Sequence, residues 1–229
     1  MEPRRAGQRL GRWRVGTSGD QYDHWRGKLY PPGLAKRAWL AHYARCFDSV
    51  EIDSTFYALP QEQTSARWAA EVGPDFRFAL KLSRYITHLK RLRDPVEPLR
   101  RFLELARELG PKLGPVLVQL PPRWRADPRR LRGFLPALEP QLRWAVEFRD
   151  PSWWRPDVFA LLEAAGVALC LHNALEDHPV LLTTSWTYLR FRLEGSARSA
   201  ARNPLKSSWP RVEFPLAGEA DPAPHRPAT

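Results

Sequence analysis

A carboxylate and a guanidinium stand two residues apart in LRWAVEFRDPSWW, residues 142–154, and their types and spacing suggest chemistry. Side chains of an extended strand alternate between its faces. Trp144, Val146 and Phe148 therefore share one face, and Ala145, Glu147 and Arg149 the other. A charge inside an apolar strand costs stability unless it is paired or used. A carboxyl tuned by burial and by a nearby cation can give or take a proton, which is general acid–base work. Glu147 is the first candidate for that role, with Lys81 or Arg149 as the tuning cation and Glu51 as a second carboxylate. Two carboxylates could serve hydrolysis or proton transfer. Their separation, which decides glycosidase stereochemistry, is not written in the sequence.

These residues need a scaffold, and the chain alternates strand patterns with helix patterns. Strands are expected at 13–18, 49–53, 76–81, 116–120, 143–149, 167–172 and 186–191. Apolar residues at helical spacing lie between them: Trp39, Leu40, Tyr43 and Phe47; Val96, Leu99, Phe102, Leu103, Ala106 and Leu109; Leu131, Phe134, Leu135 and Leu138; Val158, Leu161, Leu162 and Ala165. The stretch 61–72 is a weaker helix. Asp94-Pro95 and Asp127-Pro128 read as N-cap plus first-turn proline. Alternating strands and helices argue a parallel sheet. Seven strands in this length fit a TIM-type (β/α) barrel better than an open doubly wound sheet. Neither GxGxxG nor GxxxxGK[ST] follows the first strand, which removes the commonest nucleotide-binding readings.

In such a barrel the apolar member of each alternating pair faces the helices. That single phase turns Ser18, Glu51, Asp53, Lys81, Gln119, Glu147, Arg149, His172, Tyr188 and Arg190 inward. The polar ones lie at the C-terminal ends of their strands, the face that carries the active site in these barrels. Earlier inward positions are small: Gly16, Ala79, Ala145 and Ala168. Tyr22, Trp25, Tyr57, His88 and Trp153 follow the strands and could form an aromatic rim for a sugar, nucleoside or other ring-bearing ligand. Lys81, Arg149 and Arg190 favour an anionic group. The same charges could instead form a buried ionic network, and Asp53 could cap the loop after its strand. His172 stands alone, and the nearby cations oppose a metal ion, so neither metal nor cofactor is expected.

The 229 residues suit one large domain or two small ones, and ten tryptophans with ten phenylalanines can fill a core. The net charge is +11, but the arginines are spread along the chain, so nucleic acid is possible and not favoured. No apolar run is long enough for a membrane span. The leader 1–11 is basic and lacks an apolar segment behind it, so it reads as a flexible terminus rather than a secretory signal. Cys46 and Cys170 lie at apolar-looking positions without metal-ligand spacing. They are expected to be buried free thiols in a reducing cytoplasm.

The runs VGTSGDQYDHWRGKLYPPGL, FDSVEIDSTFYALP, FRFALKLSRYITH, LGPVLVQLPP and WAVEFRDPSWW together resemble the YecE-like family, also called domain of unknown function 72. The resemblance covers about residues 13–191. It implies a TIM-type barrel and leaves the reaction open. It carries the family's recurrent positions onto Ser18, Tyr22, Trp25, Glu51, Ser54, Phe56, Tyr57, Lys81, His88, Gln119, Glu147, Arg149, Trp153 and Arg190. Three departures stand out. Asp53 replaces the usual Asn, and His172-Asn173 replaces an acidic residue near the end of the sixth strand. Beyond Phe191 the family's turn, helix and last strand give way to a segment rich in Pro, Ala, Ser and Arg.

The expected organisation is a leader (1–11), a barrel domain (12–192) lacking or replacing its eighth strand and final helix, and a loosely packed tail (193–229). Only WPRVEFPL, 209–216, looks strand-like in that tail, and its prolines confine it to a sheet edge. A truncated or frame-shifted family member would show this pattern. The leading functional expectation is an enzyme acting on a small anionic or ring-bearing substrate through carboxylate acid–base chemistry. The alternatives are a non-catalytic module for nucleic acid or another ligand, and an inactive truncated member.

Overall fold

All seven expected strands form, each shorter than or shifted from its sequence pattern by a few residues. The structure, a computed structural model, describes residues 13–61 and 63–191. The strands are β1 (Gly16–Ser18), β2 (Ser49–Ile52), β3 (Arg77–Lys81), β4 (Leu113–Gln119), β5 (Trp144–Glu147), β6 (Ala168–His172) and β7 (Tyr188–Arg190). Every neighbouring pair is parallel, and the order in the sheet is the order in the chain. Parallel neighbours need a crossover rather than a hairpin. Helices α1 (Trp39–Tyr43), α2 (Ser54–Tyr57), α3 (Thr64–Ala70), α4 (Val96–Arg107), α5 (Pro128–Phe134) and α6 (Pro156–Ala164) lie in five of the six connections.

Local chemistry explains most boundaries. Asp127 caps α5, its carboxylate accepting from the Arg130 N–H at 3.0 Å. Leu99, Phe102, Leu103 and Ala106 form the buried stripe of α4. Two expectations need correcting. Asp94 does not cap α4: its backbone is left-handed (φ 42°) and Pro95 takes the N-cap position. Cys46 is exposed, because α1 stops at Tyr43 and the chain unwinds into a turn there; Cys170 is buried.

No helix lies between β6 and β7. Instead the Thr183 hydroxyl accepts from the Leu169 N–H at 2.8 Å and donates to the Val167 carbonyl at 2.7 Å. That one side chain satisfies backbone groups at the start of β6 that a longer neighbouring strand would otherwise pair.

The sheet is curled. Side chains of β7 reach across to β1 and β2: Tyr188 donates to Glu51 at 2.8 Å, and Arg190 to Ser18 at 3.2 Å. Among the described residues no strand joins β1 to β7, so side chains rather than backbone clasp the two edges. The inner face is narrow, which explains its small residues. Leu117, Ala145, Ala168 and Cys170 form a buried cluster there, with Trp186 and Tyr188 packed against it. The expected tail and the WPRVEFPL segment lie outside the described residues, as does the leader.

Gly16 marks the tightest approach in this sheet. A Cβ placed on it would stand 2.0 Å from the Ser49 carbonyl oxygen of β2. Gly16→Ala is therefore expected to lower unfolding free energy by roughly 2–3 kcal/mol, read from urea denaturation. An unchanged midpoint would show that β1 yields freely at this edge.

Candidate functional site

The inward phase gathers Ser18, Glu51, Lys81, Gln119, Glu147, Arg149 and Arg190 at the C-terminal ends of the strands. Arg190 on β7 is the clasp. Its guanidinium donates to Glu51 Oε1 at 2.6 Å and to Glu147 Oε2 at 2.5 Å. Ser18 donates to the same Glu51 oxygen at 2.6 Å, while Tyr188 donates to the other. Glu147 Oε1 accepts from the Gln119 amide at 2.8 Å and pairs with the Arg149 guanidinium. Both carboxylates thus have partners on both oxygens.

Glu147 is fully buried. Burial pushes its carboxyl up, but Arg190 and Arg149 outweigh that and hold it below the ordinary carboxylate range. A carboxylate so well paired is a weak base, and it is not protonated near neutral pH to act as an acid. The geometry favours a structural anion here over the proton carrier expected from the sequence.

A second pair lies beside this network. Lys81 Nζ is 3.5 Å from Asp53 Oδ1 and 4.4 Å from the centre of the Phe56 ring. Burial lowers the Lys81 ammonium from its ordinary value. Burial, helped by Glu51, raises the Asp53 carboxyl. The two pKa values are therefore drawn toward each other. Asp53 remains about one-third exposed at its side chain, while Glu147 is closed off. Local structure positions the pair. Thr55, in α2 immediately after Asp53, donates its hydroxyl to the Lys81 carbonyl at 2.8 Å and the Ile52 carbonyl at 2.9 Å. Of the two cations expected to tune Glu147, Arg149 is the one that pairs with it, and the ion pair of Lys81 is with Asp53.

The expected rim divides. Tyr22 donates to the Ser18 carbonyl and meets Trp25 edge-on at 4.8 Å, so both stand over β1. Tyr57 is exposed beside Phe56. His88 packs edge-on against Phe56 at 4.9 Å, on the ring that also underlies Lys81. Trp153 is corrected: it is fully buried, stacked 4.9 Å from Phe148, with its indole N–H on the Trp124 carbonyl at 2.7 Å. Phe148 is itself fully buried, and the Pro151–Trp153 turn lays Trp153 against its ring. It cannot touch a ligand in the mouth.

His172 is also spent internally. Its Nε2 meets the Phe148 carbonyl at 2.8 Å, and its Nδ1 accepts from the Ala174 N–H at 3.2 Å. Both contacts suit the neutral ring, and burial lowers its pKa. Among the described residues no group of three or more His, Cys, Asp or Glu is arranged to hold a metal ion.

Three site residues were missed or underweighted. Tyr188 obeys the same phase as Arg190 and was readable, but it was not placed among the site residues. Phe56 was readable both as an aromatic following the second strand and through the resemblance, but it was not placed among the site residues. His178 comes from the irregular β6–β7 connection, where no periodicity signals it. Its ring lies 4.4 Å from that of His172, and its Nδ1 meets the Pro179 carbonyl at 2.9 Å.

Burial, then His172, lowers the His178 pKa from 6.5 to about 4. Above pH 6.5 the ring is neutral in both folded and unfolded chains, and this stability is fully present. As pH falls from 6.5 to about 4, only the unfolded chain takes up the proton. The loss reaches about 3 kcal/mol. Urea midpoints at pH 7 and pH 4.5 should therefore differ less in His178→Gln than in the parent chain. Equal differences would refute the assignment.

Comparison with known proteins follows the same outline. The family model described as a protein of unknown function, DUF72, matches residues 14–212. The UPF0759 protein YecE of Escherichia coli (strain K12) is 35% identical over 118 residues, 50% of this chain and 43% of that protein. The UPF0759 protein YunF of Bacillus subtilis (strain 168) is 29% identical over 201 residues, 79% of this chain and 67% of that protein. The chain thus spans less than half the length of YecE. Among solved structures, a DUF72 family protein from Thermotoga maritima superposes with a TM-score of 0.68 at 28% identity, over 78% of this chain and 73% of that one. One from Enterococcus faecalis V583 gives 0.64 at 23% identity, over 83% and 74%, and supports the fold alone.

Proposed function

The chain belongs to the DUF72 family, and from that premise we propose that its curled sheet is the body of a TIM-type barrel with an acid–base site in its C-terminal mouth. The substrate class is a small anionic or ring-bearing molecule. Lys81 and Asp53 move the proton. Glu51, Glu147, Arg149 and Arg190 hold the electrostatic frame around them.

The observation that carries this reading is the Lys81–Asp53 pair: two opposite charges 3.5 Å apart, shifted toward each other, at the open side of a saturated ionic network. Titratable groups pushed from their ordinary values in a cleft are where proton-transfer chemistry is found. The Phe56 ring beneath Lys81 and the exposed Tyr22 and Tyr57 supply apolar faces for a ring. The protonated lysine supplies the anion contact.

The test is a panel of small carboxylates, sugars and nucleosides, followed by NMR for binding and for solvent-proton exchange into the ligand. Binding and exchange that both depend on Lys81 and Asp53 support the reading. Exchange that survives Lys81→Met, Asp53→Asn and their combination would end it.

Among the described residues no helix is long and apolar enough to cross a membrane.

A further inference from the structure

Beside the mouth, and sharing His88 with its rim, the loops that follow β3 and β4 border an open cleft of about 720 Å³. Four cations line it: Lys90, Arg91, Arg93 and Arg130. The two acids present are largely spoken for. Asp94 pairs with Lys90 at 3.5 Å, and Asp127 caps α5 through the Arg130 N–H. Arg91 and Arg93 are exposed, and Arg130 is half-buried; among the described residues its guanidinium reaches the Arg91 carbonyl at a long 3.4 Å. Arg93 and Arg130 also border an adjoining hollow of about 580 Å³. Three guanidiniums in one concavity repel each other unless an anion joins them.

The loop that presents them is strained and held. Residues 85–89 form a π-helical turn, and Arg91, Leu92 and Asp94 all have left-handed backbones (φ 47°, 64° and 42°). None is glycine, so each costs free energy. Leu92 anchors the loop: its side chain is buried and its N–H reaches the Ile86 carbonyl at 2.9 Å. With Leu92 turned in, Arg91 and Arg93 on either side are turned out. Strain of this kind gathers at ligand sites.

We infer that this cleft is a binding site for a small phosphate ester. Guanidiniums grip phosphate oxygens in pairs, which suits Arg93 and Arg130 at the junction of the two hollows. The cleft has the volume of a small-molecule pocket rather than the length of a nucleic-acid track. Trp124 forms part of its wall but is buried beneath Arg91, whose guanidinium lies 5.9 Å from its ring centre, so it offers no free face for base stacking. The site does not depend on turnover at Lys81.

The experiment is calorimetric titration of the full chain with pyrophosphate, ribose 5-phosphate and ribose. Both phosphate compounds should bind, and ribose should not. The double variant Arg93→Ala/Arg130→Ala should weaken phosphate binding at least about tenfold. Arg93→Lys should fall between, keeping the charge and losing the fork. Arg101→Ala should leave binding unchanged, because that guanidinium is paired with Glu97 at 2.8 Å on the exposed face of α4. Circular dichroism melts of each variant separate lost binding from lost folding. The inference is overturned if neither phosphate compound binds, or if the folded double variant binds as the parent does. It is overturned equally if only long oligonucleotides bind, with affinity rising with their length.

Discussion

Replacing Arg190 with Met is expected to destabilise the fold by about 3–5 kcal/mol, enough to leave a marginal domain largely unfolded. Arg190 is the common partner of Glu51 and Glu147, at 2.6 and 2.5 Å, and its own guanidinium is about nine-tenths buried. Removing it leaves two buried carboxylates facing one lost cation. Glu147 keeps Arg149 and Gln119, while Glu51 keeps the neutral hydroxyls of Ser18 and Tyr188 and stands beside a second carboxyl, Asp53. Glu51 should therefore carry most of the penalty. The double variant Arg190→Met/Glu51→Gln should recover a good part of the loss, and a double-mutant cycle measures how much.

The pH dependence makes the prediction sharper. In the parent chain the Glu147 carboxyl is held below its ordinary 4.5, so its stabilisation is present above that value and lost as pH falls through the folded value. Without Arg190, burial of the Glu147 carboxylate goes less opposed. The Glu147 contribution to the variant's stability is then larger in acid than at neutral pH. The two stability curves should converge as the pH is lowered toward 4. If the deficit of Arg190→Met is constant from pH 7 to pH 4, Arg190 does not act through these carboxylates.

For any substrate turned over in the mouth, Lys81→Met is expected to reduce kcat/KM by about 10²–10⁴-fold. Stability should move little or rise at neutral pH. The Lys81 pKa is lowered in the fold, so the folded chain holds that proton less firmly than the unfolded one. Below the folded value the buried charge opposes folding, and the opposition fades as pH climbs toward 10.5. Removing the charge removes that cost, and the partly exposed Asp53 can still reach water. The parent activity should follow a bell-shaped pH profile, with Asp53 titrating above 3.8 on the acid limb and Lys81 below 10.5 on the alkaline limb. Glu147→Gln should lower stability more than it lowers activity per folded molecule. The opposite pattern would return the catalytic role to Glu147.

The placement of Glu51, Lys81, Gln119, Glu147 and Arg190 on one face was legible in the chain. It follows from period-two alternation applied to seven runs, and alternation is a property of extended backbone alone. The family was legible too, because its motifs are local. Trp153 was misread for an equally local reason. Nothing in DPSWW tells which way a turn after a strand folds, and that depends on the apolar groove beside Phe148 that only packing creates. Cys46 was misread because α1 ends sooner than its apolar spacing suggests.

Sequence by itself determined the seven described strands, their parallel alternation with helices and the faces on which the charges fall. These are consequences of side-chain direction and turn chemistry along a few neighbouring residues. Tertiary structure alone decided which charge meets which. Ion pairing depends on register between strands and on the curl that brings β7 across to β1, and these arise from interactions between residues up to 172 positions apart, as in the Ser18–Arg190 bond. That curl made Glu147 an internal anion and left Lys81 with Asp53 at the opening.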